Sequence, residues 1–255
     1  MKRIHFIIYI LVFVAASQLG CDKAADSGAK ATTGGAGGSL ARFAIAGNYL
    51  YMVDYSMLTV IDISDPTKPV KMGNAIHVGG DVETIFPYKN KLFIGGMNGM
   101  YIYSITDPTL PKKEGSVTHF RACDPVVAND SVSYVTLRNF GTGPCGTATR
   151  NVLNVYDVKT LSSPKLVTTV DMKGPFGLGI KDKSLYVCEG SAGLVVFDLT
   201  DPYRPARKKE ISGGGEYFTD VIPYGNVLIA YINGGVSFYD ISDPQDPVFL
   251  SKVKG

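Results

Sequence analysis

One unit recurs five times between Arg42 and Gly255, and its period restricts the fold before any single side chain is weighed. Its core reads LTVIDI (Leu58 to Ile63), MYIYSI (Met100 to Ile105), LNVYDV (Leu153 to Val158), LVVFDL (Leu194 to Leu199) and VSFYDI (Val236 to Ile241). The Asp of the core falls at Asp62, Asp157, Asp198 and Asp240, with Ser104 in its place in the second copy, at spacings of 42, 53, 41 and 42 residues. A short apolar strand and an Asn/Lys/Asp-rich turn precede each core, and Ser/Thr-Asp-Pro usually follows it. A period of this length made of short strands means propeller blades.

The second copy shows the unit most plainly. Val82 to Phe86 reads as a first strand, Pro87-Tyr88-Lys89-Asn90 as a turn, Leu92 to Ile94 as a second strand and Gly95-Gly96-Met97-Asn98-Gly99 as another turn. Met100 to Ile105 is the third strand, Thr106-Asp107-Pro108 ends it, and a weaker fourth strand runs from Lys112 to about Val117. Short strands punctuated by Gly, Asn and Pro make a four-stranded antiparallel meander, and no stretch carries helical periodicity. The expectation is an all-β chain: a β-propeller over residues 40–255 with five blades of four antiparallel strands, or six if the ends build a further blade. Overlaying the copies puts Leu50, Leu92, Val132, Leu185 and Leu228 at one point of the second strand. Ile61, Tyr103, Tyr156, Phe197 and Tyr239 share one point of the third. One large side chain per blade at a fixed position fills the space between neighbouring blades, so the 15 Tyr and 12 Phe read as core rather than as a carbohydrate-stacking platform.

These cores, each ending a Gly/Asn-led hairpin and most running into Asp-Pro, resemble the LVIVD repeat of bacterial and archaeal surface proteins. The resemblance covers nearly all of the chain after residue 39 and implies a propeller exported to the cell envelope. The second copy departs from it at Ser104, and the third has Thr160-Leu161-Ser162-Ser163-Pro164 where the others have Asp-Pro.

The N-terminus is text of another kind. Lys2 and Arg3 precede an apolar run from Ile4 to Ala16, which is too short to cross a hydrocarbon core comfortably and reads as a secretory signal over residues 1–20. Cys21 directly after Leu19-Gly20 resembles the lipobox of bacterial lipoproteins, with Gln18 where the common pattern has Leu. That resemblance implies lipidation of Cys21, a membrane anchor and a place in the cell envelope, with the outer membrane the expected site. Residues 21–39 hold no aromatic or large aliphatic side chain and are expected to act as a flexible tether, spanning roughly 23 Å as a Gly/Ser-like coil. Without Lys2 and Arg3 the chain has 23 basic and 23 acidic residues, so no charge balance draws it to nucleic acid.

Function is expected where the repeat is broken. Between Leu137 and Asn151 the third copy's hairpin grows by about 13 residues and includes Cys145, while Cys123 lies in the first strand of the same copy. In an exported protein these two are expected to form a disulfide, closing about 23 residues and adding roughly 3 kcal/mol in the chain-entropy model. Arg138, Asn139 and Phe140 open the inserted loop, with Phe140 a candidate apolar anchor for a partner. Cys188 reads as a buried small hydrophobe. The first strands, which line a propeller's central channel, offer the pairs Ala41-Arg42, Glu83-Thr84, Cys123-Asp124, Phe176-Gly177 and Thr219-Asp220. Arg42, Glu83, Asp124 and Asp220 are therefore candidate binding residues, set against the plainer reading that such charges satisfy one another and backbone amides.

Chemistry finds little to work with. No D-x-[DN]-x-[DN]-G run exists for calcium, no Cys/His cluster has zinc spacing, no Ser lies in G-x-S-x-G, and only His77 and His119 follow the signal, so no metal or cofactor is expected. Asp65, Asp107, Asp201 and Asp243, each before Pro, are better explained as turn caps. The reading is a non-enzymatic envelope lipoprotein whose propeller is a binding scaffold for a protein or glycan partner. The alternative is a carbohydrate-active hydrolase using Glu83, Asp124 and Asp220, since glycoside hydrolysis needs paired carboxylates.

Overall fold

The computed structural model describes residues 38–119, 125–139 and 150–255, and twenty strands in five four-stranded antiparallel sheets account for the repeats. Blade 1 is β1 (Phe43–Ala46), β2 (Tyr49–Asp54), β3 (Met57–Asp62) and β4 (Val70–His77). Blade 2 is β5 (Val82–Tyr88), β6 (Lys91–Gly96), β7 (Gly99–Ser104) and β8 (Lys112–Thr118). Blade 3 is β9 (Val126–Ala128), β10 (Val132–Leu137), β11 (Val152–Asp157) and β12 (Lys165–Asp171). Blade 4 is β13 (Leu178–Lys181), β14 (Ser184–Cys188), β15 (Leu194–Asp198) and β16 (Ala206–Ile211). Blade 5 is β17 (Phe218–Tyr224), β18 (Val227–Ile232), β19 (Gly235–Asp240) and β20 (Val248–Lys254). The chain is a five-bladed β-propeller, with strand order following the sequence in every sheet and no helix among the described residues.

Side chains alternate across each strand, so each central strand serves two interfaces. Tyr51, Val53, Leu58 and Val60 of blade 1 meet Ile85, Leu92, Ile94 and Tyr103 of blade 2. Phe93, Met100 and Ile102 of blade 2 meet Val135, Leu137 and Tyr156 of blade 3, and the same two sets of positions meet again between blades 3 and 4 and between blades 4 and 5. Each of these large side chains is fully or almost fully buried, contributing about 1.5–3 kcal/mol apiece.

Two details of the sequence overlay change. In the third copy β10 pairs with β11 as Ser133↔Tyr156 and Val132↔Asp157, so Ser133, not Val132, is the counterpart of Leu50, Leu92, Leu185 and Leu228. The apolar character of Val132 drew the alignment one residue early. Ser133 is tolerated in the core because its hydroxyl points at the Met100 sulfur of the previous blade, 3.0 Å away. The second correction concerns Gly95, Gly96 and Gly99, which belong to strands and leave only Met97-Asn98 in the turn. Gly99 is required there by crowding, since a Cβ would come within 2.1 Å of the Val117 carbonyl.

The repeated acids are turn caps. Asp62, Asp157, Asp198 and Asp240 each accept the amide two residues on, and Ser104 does the same with its hydroxyl. Asp65, Asp107, Asp201 and Asp243 repeat the device one turn later. The Pro that follows has a further use. Tyr51, Tyr134 and Tyr186, at one position of the second strand, donate their hydroxyls to the carbonyls of Pro108, Pro202 and Pro244 on the next blade, at 2.7–2.9 Å. Where the second copy has Phe93 instead of Tyr, the blade it faces is the one without Asp-Pro. Burial pushes all three phenols well above their ordinary range. Tyr186→Phe should therefore leave the Pro244 carbonyl unpaired and cost about 1 kcal/mol, read as a lower Tm in thermal unfolding. A Tm equal to wild type would show that the hydroxyl does not help to hold the seam.

Candidate functional site

In each blade the hairpin between the second and third strands lies at the same end of the ring as the crossing to the next blade; this end is here the upper face. Blades 3, 4 and 5 build a depression of about 340 Å³ on it. Arg138 enters from the end of β10, Phe176 from the crossing between blades 3 and 4, Glu189 from the β14–β15 hairpin and Tyr217 from the crossing into blade 5.

The parts are held by their neighbours. Thr136 donates its hydroxyl to the Phe176 carbonyl at 2.7 Å, and Phe176 N–H donates to the Cys188 carbonyl at 2.8 Å. The Arg138 guanidinium carbon sits 3.4 Å from the centre of the Phe176 ring, a cation–π stack, while the Tyr217 ring meets Phe176 edge-on at 5.3 Å. Burial pushes the Arg138 guanidinium down from its ordinary value, with the Tyr217 ring opposing. Gly190 has φ of +57°, and a Cβ there would strike the Tyr217 and Phe176 rings at 2.9 and 3.0 Å. Glycine is thus needed twice over, for its backbone and for the close approach. Glu189 is buried, and its carboxylate accepts the Lys173 amide at 2.6 Å and faces Arg207 at 3.9 Å. Asn151 accepts from the Asn139 amide and donates to the Lys173 carbonyl, bracing the base of the inserted loop.

A second polar centre lies at the upper mouth of the channel. Asp220 accepts hydrogen bonds from Ser39 Oγ (3.2 Å), Leu40 N–H (3.4 Å) and Val221 N–H (3.0 Å), and Ser39 Oγ in turn accepts from Leu178 N–H at 2.7 Å. Gly38 and Gly177 make the room, because a Cβ on either would fall about 2 Å from the carboxylate oxygens. Burial pushes the Asp220 carboxyl up to about 6 against the pull of these donors. Burial also raises Glu83, and the nearby Arg42 charge opposes it. A further cavity of about 360 Å³ is lined mainly by apolar side chains of the first strands, among them Phe86, Leu178, Ile180 and Val221, with Tyr88, Asn129 and Asp182 as its polar groups.

Of the residues singled out in the sequence, Arg138 stands in the upper depression, while Arg42, Glu83 and Asp220 stand at the channel mouth. Cys21, Cys123, Asp124, Phe140 and Cys145 lie outside the described residues. Sequence reasoning missed Lys173, Glu189 and Tyr217. No local signal marks Glu189, because its burial is decided by the packing of the assembled blades. Among the described residues no three His, Cys, Asp or Glu side chains converge as a metal would need, Cys188 is a buried free thiol, and no helix is long and apolar enough to cross a membrane.

Comparison with known proteins agrees with this architecture. Solved structures of similar fold include the computationally designed Ika8 protein, with 13% identity and a TM-score of 0.61 over 84% of this chain and 61% of that one. The periplasmic gluconolactonase PpgL of Pseudomonas aeruginosa has 14% identity and a TM-score of 0.58, over 82% and 68% of the two chains. A Lactobacillus plantarum protein has 11% identity and a TM-score of 0.61, over 82% and 69%. The chain thus spans about three fifths to two thirds of these proteins' lengths, and at such identities the likeness is one of fold. The class is therefore β-propeller. Within it, residues 37–76, which take in the first blade, match the LVIVD repeat. No curated protein matches the sequence.

Because the folded Asp220 titrates near 6, above its ordinary 3.8, the fold favours its protonated form. Stability from this group is fully present below about pH 4 and is lost as pH rises through about 6. The Tm of wild type minus that of Asp220→Asn should fall between pH 4 and pH 7; a difference that stays constant would mean that the carboxyl does not titrate there.

Proposed function

We propose that the protein is a non-enzymatic binding scaffold of the bacterial cell envelope, anchored by lipid at Cys21, which offers the upper face of its ring to a protein partner. The observation that carries the reading is the Arg138–Phe176–Tyr217 stack at the base of the inserted loop. Arg and aromatic side chains held rigid in a depression are the groups that dominate protein contacts, because little freedom remains to be lost on binding. The partner is a polypeptide rather than a glycan because Arg138 already covers the Phe176 ring face on which a sugar would stack. Loops on a rigid ring are also where recognition residues concentrate.

The hydrolase alternative requires carboxylates free to act on a substrate. Asp220 is engaged by Ser39, Leu40 and Val221, and Glu83 faces Arg42, which speaks for structural duty at the channel mouth. The fold shared with a gluconolactonase does not by itself bring its activity.

Pull-down from envelope extract should recover a partner with wild type and lose it with Arg138→Ala or on deletion of residues 140–149. Turnover of glycosides or lactones that Asp220→Asn abolishes would replace this reading with the hydrolase. Mass spectrometry of the mature protein should find a diacylated Cys21 at the N-terminus, and Cys21→Ala should release or stall the protein; an unmodified terminus elsewhere would remove the anchor from the proposal.

A further inference from the structure

Four seams between blades are sealed, and the one between blade 5 and blade 1 is not. Buried clusters join blades 1 and 2, 2 and 3, 3 and 4, and 4 and 5; none among the described residues joins 5 to 1. Met52 is 38% exposed, whereas its counterparts Ile94, Val135, Val187 and Ala230 are all at 0%. Tyr231 is 56% exposed, whereas Val53, Thr136 and Cys188 at the same point are at most 3%. Phe43 and Ile45 on blade 1 are exposed, and Leu50, Ile61, Ile229, Val236 and Phe238 are only half-buried.

The seam's hydroxyl latch is missing too. Ile229 stands where Tyr51, Tyr134 and Tyr186 stand in other blades, and no described hydroxyl reaches the Pro66 carbonyl of blade 1. Between the two ends of the ring the described hydrogen bonds run only through Ser39 and Leu40 onto Asp220 at the upper rim. The large side chains already packed in the four sealed seams set the angle between blades, and they leave this interface open.

We propose that these two faces are an interface between copies of the chain, with blade 5 of one molecule packing on blade 1 of a second, head to tail, as successive blades pack inside the ring. The complementarity is visible four times in the same molecule: Tyr231, Val236 and Phe238 occupy the positions that elsewhere cover the counterparts of Leu50, Met52 and Ile61. All six are uncharged, so a charged partner would gain nothing on these surfaces. Apolar side chains left exposed together on the face of a sheet are the kind of surface that marks an interaction site. Because the two faces differ, the contact is heterologous, and each copy has one of each to offer.

Light scattering on the purified protein tests the arrangement. Wild type should be larger than one chain, while Met52→Asp and Tyr231→Asp should each be monomeric, since a buried unpaired charge weakens a contact by on the order of 100-fold or more. Mixing the two variants should restore a one-to-one dimer, because the first keeps its blade 5 face and the second its blade 1 face. Ile229→Tyr, which supplies the hydroxyl that Pro66 lacks, should tighten association about fivefold. Its added contact keeps the test informative if either Asp variant fails to fold. A monomeric wild type at ~100 μM, well above the range of a specific contact, would overturn the proposal. So would self-association of either Asp variant alone, failure of the mixture of folded variants to pair, or an Ile229→Tyr that does not tighten.

Discussion

The contact between one blade's face and the next is the interaction on which everything else here rests. A four-stranded sheet of this kind is apolar on both sides through its middle strands, so it is stable only when both sides are covered. That demand explains the recurring alternation of apolar side chains in β6, β10, β14 and β18 and the large apolar or aromatic side chain at one point of the third strand. It also explains why small deviations from the pattern need compensation, as when the Ser133 hydroxyl finds a sulfur to face.

The seams also position the functional surface. Arg138, Phe176 and Tyr217 come from three blades or their crossings, and they meet because blades 3, 4 and 5 are held at fixed angles by sealed interfaces. The same geometry brings Ser39 and Leu178 to Asp220, so that the residues just before β1 are tied to the rim of the channel. At both places glycine makes way: Gly190 beneath the aromatic pair, Gly38 and Gly177 around the carboxylate. The proposed recognition surface and the proposed head-to-tail contact lie on different parts of the ring, so the two proposals do not compete for the same residues.

Some of this can be read directly from the amino acids. A period near 42 with alternating apolar positions specifies four short strands per unit, because side-chain direction in a strand depends only on parity. The turn caps at Asp62, Asp65 and their counterparts were equally legible, since an Asx turn is a contact over two residues. Errors arose where local character misled: Val132 looks more like a core residue than Ser133, and Gly95, Gly96 and Gly99 look like a loop although all three lie in strands.

The site and the open seam were decided at longer range. Nothing near Glu189 in sequence says that it will be buried against Lys173 and Arg207, and nothing near Asp220 says that Ser39, 181 residues away, will hold it. Likewise Tyr231 and Met52 carry the same apolar signature as residues in sealed seams, yet they remain uncovered. Periodicity determines which side of a strand is apolar, because that is a property of the backbone. Whether a neighbour arrives to cover it depends on the angle that all the other interfaces impose, and only the assembled ring sets that.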